Sequence, residues 1–383
     1  MSTPPGYAAD VKLRATVHQS WSEVDPTAWD DLAQDASPFV EHAWLWGLER
    51  SGAACADTGW LPRPVTLERD GVMVAGAPAW IVEHESGQFV YQGHWSRAAH
   101  DAGLSLEPKV ILGVPFTPVA GERLLLHPSA EPNDRLAVLE AVAKTFPQVE
   151  GLHLFFPTEA EAALAASVGL FPRVQYQYHW LNQNYQDFDA FLARFRSRKR
   201  KEIRRERAAL RELHFSWIDH PTPADMALMW RAYDATVRHH GDTDRFLTQA
   251  FFEHLAEHFA HRLRLVLATK AGEPVGAAMC VHKGDRLYGR YAGQLERIPF
   301  LHFELCYYQG IERCIAEGLS AYEPGHGGEH KFARGFEPVL TWSAHAFRHR
   351  GAHRAFAEAA VREQAWVDDK IAELRRTGPL KPA

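Results

Sequence analysis

Two stretches of the chain, LAVLEAVAKTFPQVEGLHLFFP (136–157) and CYYQGIERCIAEGLSAYEPG (306–325), share one plan: a helical apolar period, a short polar turn, then an apolar strand. Short strands precede each of them. The periodicity predicts helices near 26–34, 41–50 and 133–146, strands near 64–69, 72–82, 88–93 and 151–156, and a short helix capped by Thr158. The second half repeats the order, with helices near 224–239, 247–259 and 301–317 and strands near 262–269, 274–282, 285–293 and 319–323. This pattern constrains the fold to an α/β class with mixed sheets, built as a degenerate duplication. The expected units are 1–183 and 184–383, joined near 180–187, with a helix appended at 353–376.

A length of 383 residues suits two ordinary domains, and 46% hydrophobic with 23% charged residues is the composition of a soluble globular protein. No run of about 18 apolar residues offers a membrane span. The opening MSTPPGYAAD lacks the basic and apolar segments of a leader, so a cytoplasmic location is expected. Cys55, Cys280, Cys306 and Cys314 form no C-x-x-C pair and read as reduced core thiols.

The net charge of −6 conceals a local asymmetry: Arg194–Arg211 carries ten Lys/Arg and two Glu, a segment of +8 that leaves −14 for the rest. Over 188–211 a single helix would place Phe188, Phe191, Leu192, Phe195 and Ile203 on one stripe and cations around the remainder. Such a helix either packs on the acidic remainder of the protein or offers Arg198, Lys199, Arg200, Arg204 and Arg205 to phosphate groups.

The stretch YEPGHGGEHKFARGFEPVLTWSAH (322–345) is dense in glycine and proton-handling side chains. Gly325, Gly327 and Gly328 suit a strand connection needing positive φ. His326-Gly-Gly-Glu329-His330 spells H-x-x-E-H, but that metal pattern works on a helix, and the internal glycines oppose one, so no metal site is expected. Nucleophile elbow, phosphate loop and dinucleotide fingerprint are all absent. What remains is general acid–base chemistry: Glu329 or His330 could take a proton from an attacking amine, and Lys331, Arg334 or the Gly327 and Gly328 amides could stabilise an oxyanion. The alternative is a tight turn whose charges pair with one another. Upstream, DRLYGRYAG (285–293) presents Tyr288 beside Arg290 on one strand face, and His302 and Glu304 open the following helix.

LYGRYAG, LHFELCYYQGIE, EPGHGGEHKFARGFEPVLTWSAH, VPFTPVAGERLL, SRKRKEIRRER and SPFVEHAWLWGLERSG together closely resemble a bacterial family of N-acyltransferases related to the Fem-type peptidoglycan aminoacyltransferases of the GNAT superfamily, over roughly 37–350. The resemblance implies tandem GNAT-like domains and transfer of an acyl or aminoacyl group to an amine, from aminoacyl-tRNA or acyl-CoA as co-substrate, with no tightly bound cofactor. The R/Q-x-x-G-x-G/A pyrophosphate loop of CoA-binding GNAT domains is missing after both 88–93 and 285–293, which puts aminoacyl-tRNA ahead as donor. The expected acceptor is a small amine-bearing metabolite or peptide. Glu329, His330 and Lys331 are then the expected catalytic set. Tyr288, Arg290, Tyr291, His302, Glu304, His326 and Arg334 would shape the substrate site, with Thr117 and Arg123 of the 114–125 loop reaching the ligand from the cleft between halves. A competing class is a non-catalytic tandem module that binds nucleic acid or a phosphorylated partner.

Overall fold

The computed structural model describes residues 13–90, 93–239, 241 and 245–381, so the leader reading at 1–10 lies outside the described residues. Its centre is an eleven-stranded mixed sheet. In chain order these strands are β1 (Trp60–Pro62), β2 (Ala79–Val82), β3 (Lys109–Leu112), β4 (Gly151–Phe155), β5 (Phe171–Leu181), β6 (Leu213–Asp219), β7 (Leu263–Lys270), β8 (Glu273–Lys283), β9 (Arg286–Gln294), β10 (Ala321–Glu323) and β11 (Glu337–Phe347). A second sheet of four strands holds Leu13–Val17, Val65–Arg69, Val72–Ala77 and Leu125–Leu126.

Each half is organised around a parallel pair. β3 and β4 are joined by helix α1 (Asp134–Thr145), and β9 and β10 by a helical run, Leu301–Phe303, Glu304–Tyr308 and Gln309–Glu317, whose middle part is a π-turn. The next strand in each case crosses to the other half. β5 pairs antiparallel with β10, β11 pairs antiparallel with β4, and β5 and β11 pair with each other from Glu337↔His179 to His345↔Phe171. The sheet order is therefore β6-β7-β8-β9-β10-β5-β11-β4-β3-β2-β1. The chain division read at 183/184 falls just after β5, a strand built into the far half of the sheet. One apolar cluster also spans both halves, packing Trp21, Trp44 and Trp80 with Met226, Phe251 and Tyr288.

Local expectations meet the structure unevenly. Thr158 caps Glu159–Ala165 in a reciprocal box with Glu161, as its sequence position predicts. The strand expected at 88–93 is not formed: residues 88–90 are irregular, residues 91 and 92 lie outside the described residues, and Gly93 begins a helix running to Asp101. The parallel strand of that half lies at β3 instead. The basic helix is two helices, α2 (Phe188–Ala193) and α3 (Ser197–Ala208), because the chain turns at Phe195 to pair with Leu380 and Arg196 N–H bonds Pro379 O. Its predicted apolar stripe is nonetheless buried throughout. The C-terminal helix, α6 once α4 (Gln309–Glu317) and α5 (Glu329–Phe332) are counted, spans Arg350–Thr377. All four cysteines are free thiols. No helix among the described residues is long and apolar enough to cross a membrane.

Candidate functional site

β9 and β10 run side by side for three pairs, ending at Tyr288↔Glu323; β9 then continues against β8 on its other side, and the chain after β10 turns through 324–328 into α5. Gly325, Gly327 and Gly328 all hold positive φ (85°, 72° and 86°), and a Cβ on Gly328 would stand 2.8 Å from the His330 ring. The glycines are there for the backbone path. The turn is closed from within by Lys331, whose buried Nζ donates to Gly325 O at 2.5 Å and His326 O at 2.9 Å. Burial lowers the Lys331 pKa to about 8.

This turn forms one wall of a cavity of about 470 Å³ bounded by β5, β11 and α6. Glu329 stands at its exposed edge and makes no ion pair among the described residues. His326 also lines it, its ring 5.4 Å from Phe89 and its pKa lowered to about 4, first by burial and then by Lys331 and Arg290. Among the described residues, no hydrogen bond engages the N–H of Gly327 or Gly328. Phe89 and Phe156, on the far wall, hold positive φ of 57° and 54°, an uncommon conformation for a bulky residue.

His330 faces elsewhere. Its ring lies 6.0 Å from Phe303, 5.9 Å from Tyr307 and 6.3 Å from His302, in a surface cluster where burial, Lys331 and Arg334 lower its pKa. His302 Nδ1 in turn approaches Cys306 Sγ at 3.5 Å. The structure thus brings Glu329 and His326 together and sets His330 and His302 outside that cavity.

Several other expected site residues are engaged internally. Arg334 is 4% exposed and holds Glu206 of α3 at 2.7 Å, donates to Tyr308 and to His330 O, and lies over the Phe303 ring. Glu304 is buried against Arg207 at 2.9 Å and Gln309 at 2.8 Å. Arg123 is enclosed, its guanidinium donating to the carbonyls of Val119, Gly121, Glu122 and Phe155, and burial lowers its pKa to about 10. Thr117 is buried and donates to Pro115 O. None of the four reaches the cavity. The 114–125 loop does bridge the halves, because Arg290 donates to Phe116 O at 2.8 Å and Gln177 to Pro118 O at 3.0 Å.

Tyr288 is buried edge-on to Phe39 and borders a second cavity, of about 710 Å³, with His179 and Glu323. There Glu323 pairs with Arg286 at 3.0 Å, and His179 lies 3.7 Å from its other oxygen. Tyr291 sits between Tyr233 and Phe252, away from both cavities.

On α3, Lys199 pairs with Glu202 and Arg204 with Asp189 of α2, each at 2.8 Å. Arg198, Arg200 and Arg205, with Arg196 and Lys201, make no ion pair among the described residues. The residues that sequence reasoning missed are the cavity walls: Gln175, Tyr176 and Tyr178 of β5, Thr341 of β11 and Trp366 of α6. The run VQYQYHW, polar at alternate positions inside an otherwise apolar strand, is the one local sign of them.

The family model for FemAB-like proteins, described as peptidoglycan biosynthesis/recognition, matches residues 20–382. The chain belongs to the FemAB-like family. No curated protein sequence matches it. Among solved structures, FemX shares 11% identity and a TM-score of 0.54, covering 87% of this chain and 98% of its own. The C-terminal domain of a protein assigned as a lysylphosphatidylglycerol synthetase in Agrobacterium fabrum gives 12%, 0.52, 89% and 97%. L-PGS from Bacillus licheniformis gives 11%, 0.50, 85% and 92%. At these identities the likeness establishes the FemAB-like fold along nearly the whole chain, as the resemblance in the sequence implied.

Proposed function

We propose that this FemAB-like protein is a cytoplasmic N-acyltransferase that moves an aminoacyl group from aminoacyl-tRNA, in preference to an acyl group from acyl-CoA, onto the amine of a small acceptor. The observation that carries the reading is the Arg334–Glu206 pair, which fixes the cation-rich helix α3 directly onto the segment that lines the cavity. That helix and its N-terminal flank carry five cations, Arg196, Arg198, Arg200, Lys201 and Arg205, that make no ion pair among the described residues. A donor with a phosphate backbone fits such a face, and one of the structural neighbours is assigned to the synthesis of a lysyl-bearing product.

In this scheme the acceptor attacks as a free amine at the cavity edge. As the C–N bond forms the nitrogen becomes acidic and Glu329 takes its proton; collapse of the tetrahedral adduct then breaks the ester C–O bond, and the proton passes to the departing ribose oxygen of the tRNA. The Gly327 and Gly328 amides are the donors for the carbonyl oxygen as it gains charge, a contribution of roughly 10²–10³ in rate for one such donor. Lys331 acts as a positioning residue that shapes the turn from beneath. No metal or bound cofactor enters the scheme.

The test is tRNA binding against salt. Five phosphate contacts give a log–log slope of magnitude about 3.5–4.5. Replacing Arg198, Arg200 and Arg205 by Glu should abolish binding while the fold, set by the opposite apolar stripe, persists. Salt-independent binding, or binding unchanged by the charge reversal, removes tRNA as donor. Binding without turnover for any amine would favour the non-catalytic module.

A further inference from the structure

The cavity beside Glu329 has a chemistry of its own, distinct from the charged surroundings. Its walls are aromatic, with Phe89, Phe156, Tyr176 and Tyr178 of β5, and Trp366 of α6, and its volume of about 470 Å³ lies within the range of small-molecule sites, roughly 300–1,000 Å³. Trp366 is 59% exposed at one side, a large apolar ring left uncovered on α6. Polar functions are few. Thr341, although 2% exposed, has a hydroxyl that makes no hydrogen bond among the described residues, and the Tyr178 hydroxyl is buried beside Tyr176.

The arginine that lines the cavity is neutralised. Arg173 donates to Glu363 at 2.6 Å and stacks on Trp95, His94 meets the other oxygen of Glu363 at 2.7 Å, and Lys370 on the next turn of α6 pairs with Glu373. Of the carboxylates lining the cavity, Glu363 is taken up in this way, and Glu329 makes no ion pair among the described residues. A phosphate or pyrophosphate would find no unpaired Lys or Arg among the lining residues and would meet a carboxylate instead. An ammonium group meets Glu329 and aromatic faces, both of which attract it.

From this geometry we infer that the cavity is the acceptor site and selects a compact primary amine carried on an aromatic or aliphatic body, and that it excludes phosphorylated acceptors. The inference rests on the acyltransferase reading for the word acceptor, but the binding preference stands on the cavity alone. The body fills the aromatic chamber, its polar substituents meet Thr341 and Tyr178, and its nitrogen lies at Glu329, next to the glycine amides.

The experiment is calorimetric binding to the full-length protein without any donor, using tyramine, its alcohol analogue 2-(4-hydroxyphenyl)ethanol and UDP-N-acetylglucosamine as probes. Tyramine should bind, the alcohol at least about tenfold more weakly for want of the charge, and the nucleotide sugar not detectably. Glu329→Gln and Trp366→Ala, both at exposed positions that a folded chain tolerates, should each weaken tyramine by about three- to tenfold. Tighter binding of UDP-N-acetylglucosamine than of tyramine, equal binding of the alcohol, or unchanged affinity in both variants would overturn the inference. Tyramine binding with no transfer from either donor would refute the acyltransferase reading and leave the cavity assignment intact.

Discussion

Removing the carboxylate of Glu206 isolates the contact on which the donor proposal depends. Arg334 and Glu206 are 4% and 3% exposed, joined by guanidinium–carboxylate contacts of 2.7 and 3.3 Å, and Tyr308 donates to the same carboxylate. Glu206→Leu leaves a guanidinium buried without counter-charge, a change that costs about 3–5 kcal/mol. The double variant Glu206→Leu/Arg334→Met replaces the pair by apolar groups of similar size. It forfeits three hydrogen bonds, Tyr308 to Glu206, Arg334 to Tyr308 and Arg334 to His330 O, about 1 kcal/mol each, and removes the desolvation cost of two ions. The double variant should therefore lie within about 2 kcal/mol of the wild type although the single one does not. Urea unfolding followed by far-UV circular dichroism and by tryptophan fluorescence measures both, with coincident transitions required before the values are compared. If the double variant loses as much as the two single variants added together, the two side chains are not coupled and α3 is not anchored to the site through them.

Three further outcomes are expected. Glu329→Gln should lower turnover by about 10²-fold or more while stability shifts by no more than about 0.5 kcal/mol, because the residue is exposed; near-normal turnover would remove it from the mechanism. Lys331 titrates near pH 8 when folded, against 10.5 as its ordinary value, so the unfolded chain binds more protons between those pH values. Its burial therefore costs stability in full below pH 8, and the protein should gain up to about 3 kcal/mol from this group as pH rises to 10.5, a gain that Lys331→Met erases; an identical pH profile in that variant would refute the assignment. Chelation should change neither activity nor melting temperature, and one equivalent of zinc in the purified protein would overturn the metal-free chemistry.

What the sequence revealed and what it withheld divide along the range of the interactions. The glycine turn, the Thr158 cap and the apolar stripe of 188–203 depend on neighbours within a few residues, and each was legible. The exchange of β5 and β11 was not, since strand partners more than a hundred residues apart leave no local spacing to read. Charged residues misled for the same reason: Arg334 and Glu304 resemble site groups until their partners Glu206 and Arg207 are known. Thr341 and Trp366 carry no signal at all in isolation, because the cavity exists only once β5, β11 and α6 are assembled.

The central claim is transfer from aminoacyl-tRNA to an amine, and one measurement addresses it directly. RNase-treated, repurified protein is given a cavity-sized amine with either a mixed pool of aminoacyl-tRNA or acetyl-CoA, and the amide product is followed by mass. The account predicts aminoacyl amide from the tRNA pool, none from acetyl-CoA, and loss of product on charge reversal at Arg198, Arg200 and Arg205. Efficient acetylation from acetyl-CoA alone, with the tRNA pool inert, would contradict it.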